Sequence, residues 1–300
     1  MNLFFRVWVG LAFAASALLP LAATVRAAPI LPPINAAAPG PLIPGSFVWF
    51  DLVTDDIPAS RAFYGAVFGW TFRSLGEGTA AYTAIQLGQR DIGGMLVPAG
   101  ERPARARWLS LISVADPAAA ARQVERSGGK VLVPPMAVPQ RGTHALLADP
   151  EGAVFGVVRS STGDPADAVV PDGDFFWVDL FSRDPAAEAT FYRDLVGYQV
   201  SQAELEGTSS SRLVLSSGGF ARAGVAPLPR PDLQPAWLPY VLVADVPATL
   251  ERATRAGGRV LLAPRPELLD GQLAVIADPR GGVIGVINWR DSDQPQGAAK

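Results

Sequence analysis

The chain contains no cysteine, so no disulfide contributes to its stability and no thiolate is available as nucleophile, metal ligand or lipid anchor. Histidine is nearly absent as well: His144 is the single one in 300 residues, which leaves no pair of imidazoles for a metal, and no Ser-His-Asp arrangement is found with it. Lysine is confined to Lys130 and Lys300, and the formal net charge is only −3. With no basic block to neutralise phosphates, a nucleic-acid surface is excluded. Nor is there a glycine-rich phosphate loop or a paired-acid constellation. Charged residues make up 18% of the chain and hydrophobic ones 49%, a balance that argues for packed cores rather than disorder.

What the sequence has in abundance is itself, repeated. "FVWFDLVTDDIPASRAFYGAVFGW" from Phe47 is answered by "FFWVDLFSRDPAAEATFYRDLVGY" from Phe175. Trp49, Asp51, Leu52, Phe63, Tyr64 and Gly69 reappear as Trp177, Asp179, Leu180, Phe191, Tyr192 and Gly197. The echo continues from Trp108 to Trp237 and from "ADPEGAVFGVV" at Ala148 to "ADPRGGVIGVI" at Ala277. A repeat of this length is a tandem duplication of a whole module.

The ends read differently. Residues 1–27, "MNLFFRVWVGLAFAASALLPLAATVRA", carry an early Arg, an apolar run and small residues before Ala28, the pattern of an export signal. An uncleaved anchor is the alternative, since the run from Val7 to Val25 approaches spanning length. Residues 28–44 form a Pro/Ala-rich spacer. The expected layout is then a first module at 45–160, a linker at 161–172, a second module at 173–290 and a polar tail at 291–300. The location expected is periplasmic or secreted.

Within each copy the first apolar run is aromatic and β-branched, as strands are. An Asp cap with Pro in the first turn follows, Asp56 with Pro58 and Asp184 with Pro185, and Gly69 and Gly197 are placed to end the helix. Ala59, Phe63, Ala66 and Val67 share one face of the first helix. Three short strands follow, and then the order restarts at Trp108. The fold class is therefore α+β: two tandem modules, each built from two β-α-β-β-β units.

The strings "D-I-P-A-x-x-A-F-Y-x-x-x-F-G-W", "V-A-D" followed by "G-G-x-V", and "D-P-x-G-x-x-x-G" resemble the vicinal oxygen chelate superfamily, which includes glyoxalase I, extradiol dioxygenases and bleomycin resistance proteins. The resemblance implies that each module curls an eight-stranded mixed sheet into a cup with helices on the outside. It also implies where a metal would sit in members that use one. Those positions hold Trp49 and Trp177 for the first His, Gly156 and Gly285 for the closing Glu, and Trp108 or Leu109 and Trp237 or Leu238 near the second His. Indole and glycine cannot coordinate a divalent ion, so no metal and no cofactor is expected.

Strand periodicity places Phe47, Trp49, Asp51 and Val53 on one face, and Phe175, Trp177, Asp179 and Phe181 on its counterpart. If these faces line the cups, Trp49 with Asp51 and Trp177 with Asp179 are candidate binding residues for a flat or cationic small molecule. Space filling and loop anchoring are the competing role for both pairs. Trp108, Trp237, Tyr82 and Tyr240 are further candidates for the cavity wall, and Asp51 and Asp179 are weak candidates for a general base. Three functions remain open on these residues: a metal-free binding or sequestering protein, an enzyme of the same superfamily with an atypical site, and a structural or protein-interaction module. The duplication can supply within one chain the pairing that single-module relatives obtain as dimers, so a monomer is expected.

Overall fold

The computed structural model describes residues 31–36, 39–76, 81–98, 105–204 and 211–289. The export signal and the polar tail lie outside the described residues. The first module runs β1 (Phe47–Val53), α1 (Ile57–Phe68), β2 (Thr71–Leu75), β3 (Tyr82–Leu87) and β4 (Arg90–Leu96), then β5 (Arg107–Ser113), α2 (Pro117–Arg126), β6 (Lys130–Val138), β7 (Gly142–Ala148) and β8 (Val154–Ser160). The second repeats the order: β9 (Phe175–Ser182), α3 (Pro185–Val196), β10 (Gln199–Glu204), β11 (Ser211–Ser217) and β12 (Phe220–Pro227), then β13 (Ala236–Leu242), α4 (Val246–Arg255), β14 (Arg259–Leu262), β15 (Leu273–Ala277) and β16 (Val283–Ile287).

Each module forms one eight-stranded mixed sheet, ordered β2-β3-β4-β1-β5-β8-β7-β6 and β10-β11-β12-β9-β13-β16-β15-β14. The expected α+β class with two tandem modules is the observed one. In each sheet the first strands of the two units lie side by side at the centre, antiparallel, so a residue on β1 or β9 sits at the base of the curled sheet.

The helix signals act as the sequence indicates. Asp56 Oδ1 accepts from the Ala59 amide at 3.0 Å and Asp184 Oδ1 from that of Ala187 at 3.1 Å, which satisfies amides that a first helical turn leaves unpaired. Gly69 and Gly197 close the same helices in left-handed conformation. The buried face of α1 is turned from the expected one, however. It consists of Ser60, Phe63, Tyr64 and Val67, and Ala66 faces out.

The reason for the turned face is that the core is shared. A single apolar cluster takes in Phe50, Leu52, Phe63, Tyr64 and Trp108 from the first module together with Leu180, Phe191, Tyr192 and Trp237 from the second. Helix α1 packs on α4, and α2 on α3. Phe50 stacks on Phe175 with ring centroids 4.0 Å apart, and the Trp70 indole donates to the Gly173 carbonyl at 2.6 Å.

Two polar relays cross this joint in pseudo-twofold fashion. The Trp237 indole donates to the Tyr192 hydroxyl at 2.9 Å, which donates to Asp149 Oδ2 at 3.0 Å. On the other side the Trp108 indole donates to Tyr64 at 3.0 Å, and that hydroxyl bonds Asp278. Each relay joins the Trp and Tyr of one module to the "ADP" aspartate of the other. Burial and the facing carboxylates hold both phenols protonated, far above their ordinary range. Much of the repeated sequence is thus the joint between the two copies.

Candidate functional site

The joint accounts for two of the candidate residues. Trp108 and Trp237, expected on the cup wall, instead point away from the cups into the shared core. A second correction comes from the strand register. A bulge between Phe47 and Trp49, and another opposite Tyr240 and Val241, breaks the simple alternation. Phe47 and Phe175 therefore turn to the shared core, where Phe47 packs 5.1 Å from Trp237. Trp49 and Asp51, and Trp177 and Asp179, remain on the concave faces.

At the base of the first cup, the Trp49 indole donates to Asp51 Oδ1 at 2.9 Å and the Tyr82 hydroxyl donates to the same oxygen at 2.5 Å. The Arg141 guanidinium lies 4.1 Å from the Trp49 ring centroid, the seat a cationic ligand would have taken. Asp51 is pushed above the usual carboxylate range by burial, an effect opposed by Arg141, Tyr82 and Trp49. The sole histidine also lies here. His144 is held neutral, its pKa pushed down to about 3 by burial and then by Arg141.

The second cup rebuilds the same carboxylate environment from other positions. The Trp177 indole donates to Asp179 Oδ1 at 2.8 Å, and Arg212 bonds Oδ2 at 2.6 Å. Tyr240 bonds the same carboxylate, which together with burial keeps its phenol protonated. The pairing registers show how the roles moved. Asp51 faces Gly94, which faces Ala84; Asp179 faces Gly224, which faces Val214. Tyr82 and Arg212, each two residues earlier, therefore hold equivalent places. Likewise Leu111 faces Trp49 and Tyr240 faces Trp177. A phenol reaches the aspartate from β3 in one cup and from β13 in the other.

Glycines make both arrangements possible. A Cβ at Gly94 would sit 1.8 Å from the Tyr82 hydroxyl, and one at Gly285 would sit 2.0 Å from Tyr240 Cδ1. The places that resemblance assigns to a closing Glu ligand are consequently roofed, Gly285 by the Tyr240 ring and Gly156 by Leu111, 2.9 Å from a would-be Cβ. Among the described residues no group of three or more His, Cys, Asp or Glu side chains could hold a metal ion. The residues present do not fit the metal that related folds carry.

The cups differ in access. Trp49 is 1% exposed, and the first cup is filled by Leu31 and Ile34. In the second, Trp177, Phe181, Leu262, Val275, Val283 and Trp289 are only half-buried around Leu238, Tyr240 and Leu273. Its rim includes a turn in which Leu269 and Asp270 both take positive φ, 49° and 50°, a conformation bulky residues rarely adopt. A shallow depression lined by Leu250, Glu251, Thr254 and Arg255 lies on α4, away from both sets of residues.

Sequence comparison agrees with this architecture. Residues 46–88 match the "Bleomycin resistance protein-like N-terminal" family and residues 176–287 match the "Glyoxalase-like domain" family. The chain is a two-module member of the vicinal oxygen chelate superfamily. Among its relatives is CFP32 of Mycobacterium tuberculosis (strain CDC 1551 / Oshkosh), which carries a glyoxylase name and is 29% identical over 80% of this chain and 93% of its own length. DnrV of Streptomyces peucetius, named as an anthracycline biosynthesis protein, is 29% identical over 83% of this chain and 94% of its own.

Solved structures with the same superfamily fold include the Mn(II)-bound glyoxalase from Novosphingobium aromaticivorans. It has a TM-score of 0.55 and 17% identity, with 82% of each chain covered. The 2,2',3-trihydroxybiphenyl 1,2-dioxygenase from Sphingomonas wittichii strain RW1 matches at a TM-score of 0.54 and 14% identity, over 83% of this chain and 91% of its own.

Arg141 and Arg212 are the site residues that the strand pattern did not single out. Arg141 sits after a turn residue, Gln140, with positive φ of 64°, and nothing in a 2.0 or 3.6 period marks it. Arg212 was legible in principle as a charged residue entering the apolar run Leu213–Leu215 of β11.

Proposed function

We propose that this is an exported, metal-independent binding protein that holds a flat, largely apolar organic molecule in its second cup. The observation that carries the reading is the half-buried Trp177 and Phe181 lying beside a fully buried Asp179, whose charge Arg212 pairs and to which Tyr240 hydrogen-bonds. Open aromatic surface offers stacking, and a few fixed polar groups at the base give orientation. The cationic class drops out because each aspartate already has an arginine near it. A relative named for anthracycline biosynthesis fits an aromatic, polycyclic occupant.

Catalysis by Asp179 has less support, since both of its oxygens are engaged by Trp177 and Arg212. With the intermodule joint supplied internally, the protein acts as a monomer, and a sedimentation measurement showing a stable dimer would contradict that part.

Native mass spectrometry of the protein purified from its own envelope fraction tests the reading. The expected result is an organic adduct that disappears in Trp177→Ala. Absence of any adduct, together with no thermal shift from a panel of polycyclic aromatics, would sink it. Amino-terminal sequencing of the same sample checks export, with Ala28 as the expected first residue.

A further inference from the structure

The first cup is closed by the chain's own N-terminal strap. Leu31 is buried against Tyr82, Ala84 and Val138, and Ile34 against Val48, Trp49, Leu111 and Val158. Between them the Pro32 carbonyl accepts from Arg141 Nε at 2.9 Å. The strap is moored outside the cup, where the Asn35 amide donates to Thr162 Oγ1 at 3.2 Å and the Ile43 amide to Asp164 Oδ2 at 2.6 Å.

Beneath the strap, Arg141 is 0% exposed and incompletely satisfied. Among the described residues its Nη1 has no partner, and neither has Nε2 of His144 three residues on. Nη2 reaches only the Tyr82 hydroxyl, at 3.4 Å. A buried guanidinium ordinarily engages its donors, most often with a carboxylate in a fork. Asp51 lies near enough to feel the Arg141 charge but does not fill the fork: its Oδ1 is taken by Trp49 and Tyr82, and among the described residues no ion pair within 4.0 Å joins it to Arg141. A neutral carbonyl oxygen and two apolar side chains occupy the space instead.

We propose that the first cup is a binding site for an apolar carboxylate and that the Leu31–Ile34 strap is its intramolecular occupant. The Pro32 carbonyl stands where one ligand oxygen would bond Arg141, and the Leu31 and Ile34 side chains stand where its apolar body would pack. With the strap displaced, Nε and Nη2, the two nitrogens on one edge of the guanidinium, present the fork that takes a carboxylate bidentately, Nη2 giving up its long contact with Tyr82, and Nη1 remains as a further donor. The Trp49 ring and Ile34's other neighbours supply the wall. His144 adds a hydrogen bond without adding charge. A tethered competitor acts at millimolar effective concentration, so a free ligand meets a large penalty until the strap lifts. This site is separate from the second cup, and either can hold without the other.

The test uses 2-naphthoate and its neutral amide, 2-naphthamide, titrated calorimetrically into the full chain carrying Trp177→Ala to silence the second cup. Comparison is with the same chain bearing Leu31→Asp and Ile34→Asp. The strap variant is expected to bind naphthoate at least about tenfold more tightly, to ignore the amide, and to lose binding with Arg141→Gln. Leu31→Ala with Ile34→Ala, a milder pair, is measured in parallel as protection against misfolding and should show the same ordering. In the otherwise native chain, excess naphthoate should speed hydrogen exchange at the Asn35 amide. Equal naphthoate affinity with and without the strap, equal affinity for acid and amide, or binding with no change at Asn35 would each overturn the proposal.

Discussion

Arg212 stands in the second sheet where Tyr82 stands in the first, and each completes the environment of the central-strand aspartate beside it. The aspartate and its tryptophan are common to both copies, while the phenol comes from β3 in one and β13 in the other, and the guanidinium from the β6–β7 turn in one and β11 in the other. In the second cup the guanidinium is a direct ion-pair partner, with Arg212 15% and Asp179 0% exposed at the side chain.

Removing one member of that pair strands the other in the protein interior. Arg212→Gln should cost about 3–5 kcal/mol, and Asp179→Asn a comparable amount, because breaking a buried pair leaves an uncompensated charge. The double variant should be less damaging than the two single costs added. Urea unfolding of all four proteins gives the coupling directly, and simple additivity would show that the two side chains do not depend on each other.

The intermodule relays should behave as stability elements shared by both copies. Tyr192→Phe takes the acceptor from the Trp237 indole and the donor from Asp149 in one step. Leaving buried groups unpaired costs about 1–3 kcal/mol each. Tyr64→Phe should do the same across the other half of the joint. Because the core is continuous, both variants should still unfold in a single transition by calorimetry; separate transitions for the two modules would refute the shared-core account.

Glu188 gives the joint a pH dependence. It is 2% exposed beside Asp149, and burial, then Asp149 and Glu151, push its pKa from 4.5 to about 8. An acid with a raised folded-state pKa favours the fold in its protonated form. Its contribution is therefore complete below about pH 4.5 and is lost as pH rises through about 8. Glu188→Gln, neutral at every pH, should leave stability near pH 5 little changed and raise the melting temperature at pH 9 by roughly 3 °C or more. A melting profile parallel to that of the unsubstituted protein across this range would remove Glu188 as the cause. The first copy has Ser60 at this place, bonded to Thr54, so the dependence belongs to one half of the joint only.

The duplication, the helix caps and the order of elements along the chain follow from local rules, which is why they are readable in the sequence, whereas the eight-stranded cup was expected only from the family resemblance. Asp56, Pro58 and Gly69 act within a single helix, and Trp49 and Asp51 alternate along a single strand. Features that depend on the other copy are not readable in this way. Tyr64, Trp108 and Trp237 look like generic aromatics until Asp149 and Asp278 are brought opposite them. The bulges that turn Phe47 and Phe175 out of the cups leave no periodic signature. Arg141 reaches Trp49 through a turn whose position is set by tertiary contacts, and the apolar Leu31 and Ile34 sit in a segment whose Pro/Ala-rich composition reads as spacer.

The two closing glycines distinguish the cups by a single methyl group. A Cβ at Gly285 falls 2.0 Å from Tyr240 Cδ1, against a rigid ring held by Asp179. At Gly156 it meets the Leu111 side chain at Cγ, 2.9 Å away, a contact that a rotamer change can relieve. Gly285→Ala should therefore cost about 1–3 kcal/mol through overpacking, and Gly156→Ala well under half of that. The substitution at Gly285 should also push Tyr240 off the aspartate and weaken aromatic binding in the second cup, while Gly156→Ala leaves that binding unchanged. Equal destabilisation by the two variants would mean that the Tyr240 ring is not fixed in place, and the cup base would then have to be regarded as adaptable rather than preorganised.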